Sequence, residues 1–174
     1  MPPNDRNAAD LRNYSRHYRQ RLRAEVLLDM ASDVTGVPEA FAAMPPGSRA
    51  VEVWTARTPN EFLDSFGRPD PNQDPPCERT SDTTVVQALH LMNSNQLAGK
   101  VMADGSLSDT LSKSELPPEK IIEELYLACY SRLPTAEEVG IAGKALDVGV
   151  ANRQAAIEDV LWSLLNSAEF VFNH

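Results

Sequence analysis

The side chains best suited to covalent chemistry lie in and just after a proline-rich segment, residues 68–82. Cys77 is a potential nucleophile, His90 a potential base, and an acid such as Asp82 could orient the histidine. Such a set works only if the three groups lie within hydrogen-bonding distance, and their spacing does not require this. A hydrogen-bonded structural role for His90, on a predicted helix, is the competing interpretation.

The same segment offers candidate metal ligands in Cys77, His90, Asp70 and Asp74. Structural zinc sites usually carry paired ligands at short spacing, and the sequence has no such pair here. The aspartates and loop carbonyls could instead hold a hard cation, although acidic loops are usually only hydrated. We therefore predict no metal and no cofactor.

Two arginines, Arg68 and Arg79, flank the acidic segment. They could recognise an anionic group, or they could pair with the acidic residues Asp70, Asp74 or Glu78, which is the interpretation that we favour.

One set of residues between positions 66 and 93 would form a site if the side chains converged on an open cavity. It consists of Arg68, Cys77, Arg79, His90 and Asn93. Asn93 has the alternative role of bonding backbone groups where chain segments cross.

Amphipathic stripes at three- and four-residue spacing predict most of the chain to be helical. The predicted helices span about 19–35, 61–66, 83–103, 106–113, 118–129, 136–146 and 152–171. Asn60 and a capping box of Thr135 and Glu138 mark two helix starts. Residues 50–55 could be extended but have no partner strand. The prediction is an all-α, irregular helical bundle with one long proline-rich loop, with a flexible arm at 1–13 and a single helical domain at 14–174.

The charge balance disfavours nucleic acid as a partner. The chain has 16 basic and 25 acidic residues, a formal net charge of −9. A cluster of arginines lies within residues 12–23, and a solvated face explains it at least as well as phosphate binding. No apolar run is long enough to span a membrane, and residues 1–5 carry no export signal.

Isolated cysteine and tryptophan side chains have ordinary structural interpretations. Cys129 lies on an apolar helical face and is predicted to be a core residue, whereas Cys77 is the more accessible thiol. Trp54 and Trp162 could stack on sugars, but such residues are more often core or interface residues.

Five segments, taken in order, resemble the C-terminal half of the domain-of-unknown-function family 1553. The resemblance covers about residue 10 to the end of the chain. The segments are 13–16 with 21–29, 62–69 with 77–79, 87–94, 124–128 with 131–138, and 164–170. The third reads Gln87-Ala88-Leu89-His90-Leu91-Met92-Asn93-Ser94, and the fourth includes Ser131-Arg132-Leu133-Pro134-Thr135.

The resemblance implies a context typical of planctomycetes. Family members are usually the last part of long exported proteins, often with a cytochrome-c-like haem domain earlier, and are linked to the cell surface or to polymer breakdown. The haem-attachment motif Cys-x-x-Cys-His is absent from this sequence. Many relatives carry a second cysteine near the position of Cys77; its absence here speaks against a loop disulfide or a two-cysteine metal site.

Two functional hypotheses follow. The first is a non-catalytic helical interaction or scaffold module of a periplasmic or cell-surface protein, which packs on the upstream half of the family domain or on a separate protein. The alternative is part of a hydrolase or redox enzyme acting on surface polymers, with its site near residues 66–93. An exposed apolar surface favours the first, and convergence of the five candidate residues favours the second.

Overall fold

The fold is all-α, as predicted. The computed structural model describes residues 20–42, 44–55, 57–68, 94–148 and 152–172, and this part of the chain contains no β-strand. Its α-helices are α1 (Ala24–Thr35), α2 (Glu61–Ser65), α3 (Asn95–Val101), α4 (Leu107–Ser112), α5 (Pro118–Tyr130), α6 (Ala136–Val148), α7 (Arg153–Leu165) and α8 (Ala168–Val171). A 3-10 helix spans Ala50–Glu52. The predicted arm at 1–13 and most of the proline-rich loop lie outside the described residues.

Helix α7 is the centre of the bundle. It packs against α3, α4, α5, α6 and α8. Ile157, Leu161 and Leu165 are 0% exposed. Their four-residue spacing forms one buried ridge along the helix. Helix α1 forms the second packing centre and contacts α2, α3, α4 and the 3-10 helix.

Local capping explains where several helices begin, as the sequence predicted. The Asn60 side chain accepts a hydrogen bond from the Leu63 amide at 3.0 Å. In the capping box before α6, the Thr135 amide donates to Glu138 Oε2 at 2.7 Å, and the Glu138 amide donates to Thr135 Oγ1 at 3.3 Å. Both bonds satisfy amides that have no partner within a helix.

The first helix begins later than predicted. It was expected from residue 19, but α1 starts at Ala24. The preceding residues are extended because they pair with the end of the chain. The Leu22 amide donates to the Val171 carbonyl at 3.0 Å, and Arg21 forms an antiparallel bridge with Phe172. This tertiary pairing replaces the first turn that the periodicity suggested.

Serine caps mark helix starts inside two of the predicted helices. The helix predicted at 152–171 is divided, because Ser167 is extended and accepts from the Phe170 amide at 3.1 Å. Ser94, expected inside a helix at 83–103, is also extended and accepts from the Leu97 amide at 3.2 Å. A serine side chain competes well for free amides at a helix start, which explains why a helix begins after each of these serines. Residues 83–93 lie outside the described part.

None of the described helices combines the length and the apolar character that crossing a lipid bilayer requires.

Candidate functional site

Arg68 is the one predicted site residue that the described part of the chain contains. Its Nε and Nη2 atoms donate to Asp64 Oδ1 at 3.1 and 2.6 Å, and its amide donates to the Leu63 carbonyl at 3.0 Å. The Arg68 side chain is only 5% exposed, whereas that of Asp64 is 58% exposed. Arg68 Nη1 is buried and has no hydrogen-bond partner among the described residues. The guanidinium is therefore anchored through one edge only.

The other four predicted site residues lie outside the described residues. They are Cys77, Arg79, His90 and Asn93. The carboxylates suggested as partners of Arg68, namely those of Asp70, Asp74 and Glu78, also lie outside. Convergence of the five side chains thus stays a prediction. The helix that leads into the segment is well ordered by packing, since the rings of Phe62 and Phe66 stack at 4.4 Å and both are 1% exposed.

A buried carboxylate on α1 determines the conformation of the segment predicted to be extended at 50–55. Asp29, 5% exposed, accepts from the Ala50 amide at 2.6 Å through Oδ1 and from the Val51 amide at 3.1 Å through Oδ2. These amides belong to the first turn of a helix and have no partner within it. Asp29 therefore stabilises a 3-10 helix at Ala50–Glu52, and the extended assignment is wrong for these three residues.

Arg49 joins two carboxylates of α1. Its Nη2 donates to Asp33 Oδ2 at 2.7 Å, and its Nε lies 3.5 Å from Asp29 Oδ2. The hydrogen bond to Asp33 is the main cause that raises the pKa of Arg49. The Arg49 amide donates to Glu52 Oε2 at 2.8 Å, so its backbone is fixed as well.

Lys100 of α3 anchors the loop that follows α1. It is 4% exposed. Its Nζ lies 3.0 Å from Glu39 Oε2 and donates to the Val37 carbonyl at 2.8 Å. A buried ammonium is costly unless it is paired and hydrogen-bonded, and here both conditions hold. The pair therefore fixes the position of residues 37–39 relative to α3.

A cleft of about 400 Å³ lies between the C-terminal half of α1 and the chain that follows it. Most of its lining residues are of polar or charged type, and we call it the α1 cleft. It is lined by Asp29, Ser32, Asp33, Gly36, Pro38, Glu39, Gly47, Ser48 and Arg49. Gly36 ends α1 with a φ of 72°, a left-handed conformation that glycine adopts without steric cost. The volume is within the range of small-ligand or side-chain pockets.

A second charged cluster surrounds Arg132, after α5. The guanidinium donates to Glu138 through Nη1 and Nη2 at 3.0 and 2.8 Å, and to Glu169 through Nε and Nη2 at 2.6 and 2.8 Å. It also lies 5.4 Å from the ring centroids of Tyr126 and Tyr130. Arg132 is thus engaged on its edges and its face. Hydrogen bonds from Arg132 lower the pKa of Glu138 to about 2.

The nucleophilic groups of the described core are engaged or inert. Cys129 is 7% exposed, and burial raises its thiol pKa to about 12. The core position predicted for Cys129 is confirmed. Ser106 and Ser108 are 0% exposed and lie 2.9 Å apart through their hydroxyl oxygens, and both donate to the Val101 carbonyl. This pair closes the connection between α3 and α4.

Metal ligands do not cluster in the part of the chain that the structure describes: no group of three or more histidine, cysteine, aspartate or glutamate side chains could hold an ion there. The tryptophans differ in environment. Trp162 is half-buried against the core, whereas Trp54 is 72% exposed. Trp54 is therefore not a core residue, and its exposure is compatible with an interface role or with stacking on a sugar.

The residues of the α1 cleft do not stand out in the sequence as a site. One signal was available, since Asp29 lies between Leu28 and Met30 in an apolar stretch of α1. Lys100 carries a similar signal, three residues after Leu97 on the buried side of α3. A charged residue on a buried helical face usually has a specific partner, and both of these do.

The comparisons with known proteins identify the family. No curated protein and no solved structure matches the chain. The family model described as PSD1, Protein of unknown function (DUF1553), matches residues 2–146, and the chain therefore belongs to this family.

Proposed function

We propose that the chain is a non-catalytic helical interaction module. The observation that carries this proposal is the exposure of large apolar side chains over several elements. Seven such side chains of the described residues are at least 37% exposed: Val51, Trp54, Met102, Leu116, Leu127, Leu133 and Ile141. Of these residue types, tryptophan and methionine are enriched at protein–protein interfaces.

The state of the charged groups supports the same proposal. Arg132, Lys100 and Arg49 are each bound to carboxylates of the chain itself. In these pairs the charged groups are committed to the fold and are not available as the perturbed acid or base that catalysis needs.

We propose that the partner is the part of the family protein that precedes this module, or a separate protein. We also propose that the module belongs to an exported protein at the cell surface. The resemblance implies that family members are usually the last part of long exported proteins. Membership of the family therefore supports this context. The coding sequence upstream is a direct check, since an export signal and the remainder of the family domain should be encoded there.

The decisive experiment is co-expression of the tagged chain with the segment encoded immediately upstream. We expect a stable complex of defined stoichiometry in light scattering after size-exclusion chromatography. A double variant, Leu133→Ser with Ile141→Ser, tests the exposed apolar side chains, and Arg57→Lys, at an exposed position, is the control. A chain that stays monomeric and binds neither this segment nor any other protein would contradict the proposal.

One observation favours the alternative, an enzyme site near residues 66–93. Arg68, near the start of this segment, carries a buried Nη1 atom without a partner among the described residues. A buried guanidinium donor can recognise an anionic substrate group. Iodoacetamide labelling of Cys77 as a function of pH tests this alternative, because a catalytic thiol would react well below the ordinary pKa of about 8.5. Ordinary pH dependence, unchanged by His90→Ala, would argue against it.

A further inference from the structure

The connection between α3 and α4 contains a dipeptide whose chemistry favours a spontaneous rearrangement. Asp104-Gly105 is the only Asp-Gly pair in the sequence, and the sequence has no Asn-Gly pair. Glycine has no side chain that would hinder its own nitrogen, so this nitrogen can attack the carboxyl carbon of the preceding aspartate. Both residues are exposed to solvent. Residue type and exposure alone would therefore predict a reactive site.

The rearrangement has two steps and needs only water. The Gly105 nitrogen loses its proton and forms a bond to Cγ of Asp104, while one carboxyl oxygen leaves as water, and a five-membered succinimide ring results. Water then opens the ring at one of its two carbonyl carbons. One opening restores aspartate, and the other gives isoaspartate, in which the main chain runs through Cγ. The water lost in the first step is regained in the second, so the mass of the chain is unchanged.

The turn that contains this dipeptide holds the reacting atoms apart. The Ser106 amide donates to the Ala103 carbonyl at 3.1 Å, so residues 103–106 form a β-turn. Gly105, its third residue, has a φ of 78°, whereas Asp104, its second, does not have a positive φ. This combination is that of a type II turn, in which ψ of the second residue is about 120°. Ring closure needs a different ψ, because the ring brings Cβ of Asp104 and the Gly105 nitrogen to nearly eclipsed positions about the Cα–C bond.

The carboxylate of Asp109, in α4, holds the nitrogen in this turn. The Gly105 amide donates to Asp109 Oδ2 at 2.8 Å, so the nitrogen cannot rotate toward Asp104 without losing this hydrogen bond. The carboxylate is itself fixed. Asp109 is 5% exposed, its amide donates to Ser106 Oγ at 3.2 Å, and Lys113 Nζ lies 2.7 Å from each of its oxygens.

The hydrogen bond to Asp109 restrains the Gly105 nitrogen and does not activate it. Activation would require the carboxylate to remove the amide proton. The hydrogen bond from Lys113 lowers the pKa of Asp109 below its ordinary value, so this carboxylate is a weak base.

We propose that Asp104-Gly105 is a latent site of isoaspartate formation and that Asp109 keeps it closed in the folded chain. Opening of the first turn of α4 releases the Gly105 amide and allows the ring to form. The rearranged chain has one additional main-chain carbon at residue 104 and carries the carboxylate on Cα. The type II turn therefore cannot form again, and the connection between α3 and α4 is changed permanently.

The test is incubation of the full chain at neutral pH and body temperature, with samples taken over several weeks. Trypsin cleaves after Lys100 and Lys113 and releases the peptide 101–113, in which chromatography and electron-transfer mass spectrometry distinguish isoaspartate from aspartate at position 104. A synthetic peptide of the same sequence gives the unrestrained rate. We expect the folded chain to react at least roughly tenfold more slowly than this peptide, which corresponds to about 1.4 kcal/mol in the barrier.

Matched variants identify the restraint. Asp109→Ala removes the acceptor of the Gly105 amide and should accelerate the reaction roughly tenfold in the full chain. Ser108→Ala is the control. It removes a buried hydroxyl that donates to the Val101 carbonyl, so it weakens the start of α4 but leaves the hydrogen bond to Gly105 in place. Asp104→Glu should form no isomer, because the corresponding ring would have six members and closes far more slowly.

Each outcome decides one part of the proposal. If the wild-type chain reacts as fast as the peptide, the turn gives no protection. If Asp109→Ala and Ser108→Ala accelerate the reaction equally, loosening of α4 controls the rate and the role assigned to Asp109 is wrong. If neither the peptide nor Asp109→Ala forms isoaspartate at position 104, the site itself is refuted.

Discussion

Arg132 Nε donates to Glu169 Oε1 at 2.6 Å and thereby joins the turn after α5 to the short helix α8, 37 residues later in sequence. The same guanidinium binds Glu138 in the first turn of α6. A single side chain thus connects three helices. Nearby, the Tyr130 hydroxyl donates to Ser167 Oγ at 2.7 Å and to the Leu164 carbonyl at 3.1 Å, which fixes the junction of α7 and α8.

Replacing Arg132 with lysine should lower the thermal stability although charge is retained. Lysine has one nitrogen and cannot bind two carboxylates in bidentate fashion. We expect Tm to fall by about 2–4 °C, the change that about 1 kcal/mol causes in a domain of this size. Differential scanning calorimetry measures it, with Arg57→Lys as the matched control. Equal Tm values for both variants would show that the bidentate geometry is not stabilising.

The ion pair of Glu138 predicts a pH dependence of stability. The pKa of Glu138 is lowered from 4.5 to about 2, mainly by the hydrogen bond from Arg132. Its contribution is therefore complete above pH 4.5 and is lost as the pH falls to about 2. The Tm difference between wild type and Glu138→Gln should shrink over this window. A difference that stays constant between these pH values would contradict the assignment.

Asp29 should contribute more to stability than a charged residue on a helix usually does. Substitution by alanine leaves the amides of Ala50 and Val51 without their acceptor, and an unsatisfied buried group costs about 1–3 kcal/mol. Asp29→Asn should cost less, because the amide oxygen can still accept one bond. Urea denaturation gives the free energies of unfolding, and hydrogen exchange should show faster exchange at residues 50 and 51. Unchanged exchange there in Asp29→Ala would refute the capping role.

The central position of α7 predicts a large effect at Leu161, which is 0% exposed. Leu161→Ala should destabilise the chain by about 2–5 kcal/mol, through lost burial and a cavity. Ile141→Ala, at 64% exposure on α6, is the control and should stay within about 0.5 kcal/mol of the wild type. Chemical denaturation compares the two. Comparable losses would mean that α7 is not the core helix.

The two cysteines should differ in reactivity. Burial raises the Cys129 pKa to about 12, so this thiol should resist alkylation in the folded chain. Cys77 is predicted to be accessible, and mass spectrometry after brief iodoacetamide treatment should find one label, on the peptide that contains Cys77. Labelling of Cys129 at the same rate would show that α5 opens readily.

Local sequence signals were sufficient to predict the structure wherever one short stretch of residues determines it. Asn60 and the pair Thr135 and Glu138 begin helices because their side chains satisfy amides three residues away, and sequence spacing alone reveals this. The proline at position 118 begins α5 for a similar reason, since its missing amide proton has no partner in a first turn. The all-α fold follows from many such local agreements.

Contacts between residues far apart in sequence determine the structural features that the sequence alone could not predict. The 3-10 helix at Ala50–Glu52 depends on Asp29, 21 residues earlier, and the late start of α1 depends on Val171. The α1 cleft was missed for the same reason. Arg49, Lys100 and Glu39 are ordinary surface types, and only tertiary packing brings them to one place.

The hydrogen bond between Leu22 and Val171 has a consequence for how the domain is connected to other sequence. It places residues 21 and 172 side by side, so polypeptide attached before the one and after the other departs from the same edge of the bundle. A circular permutant with residues 20 and 172 joined by a short linker should therefore keep its native architecture.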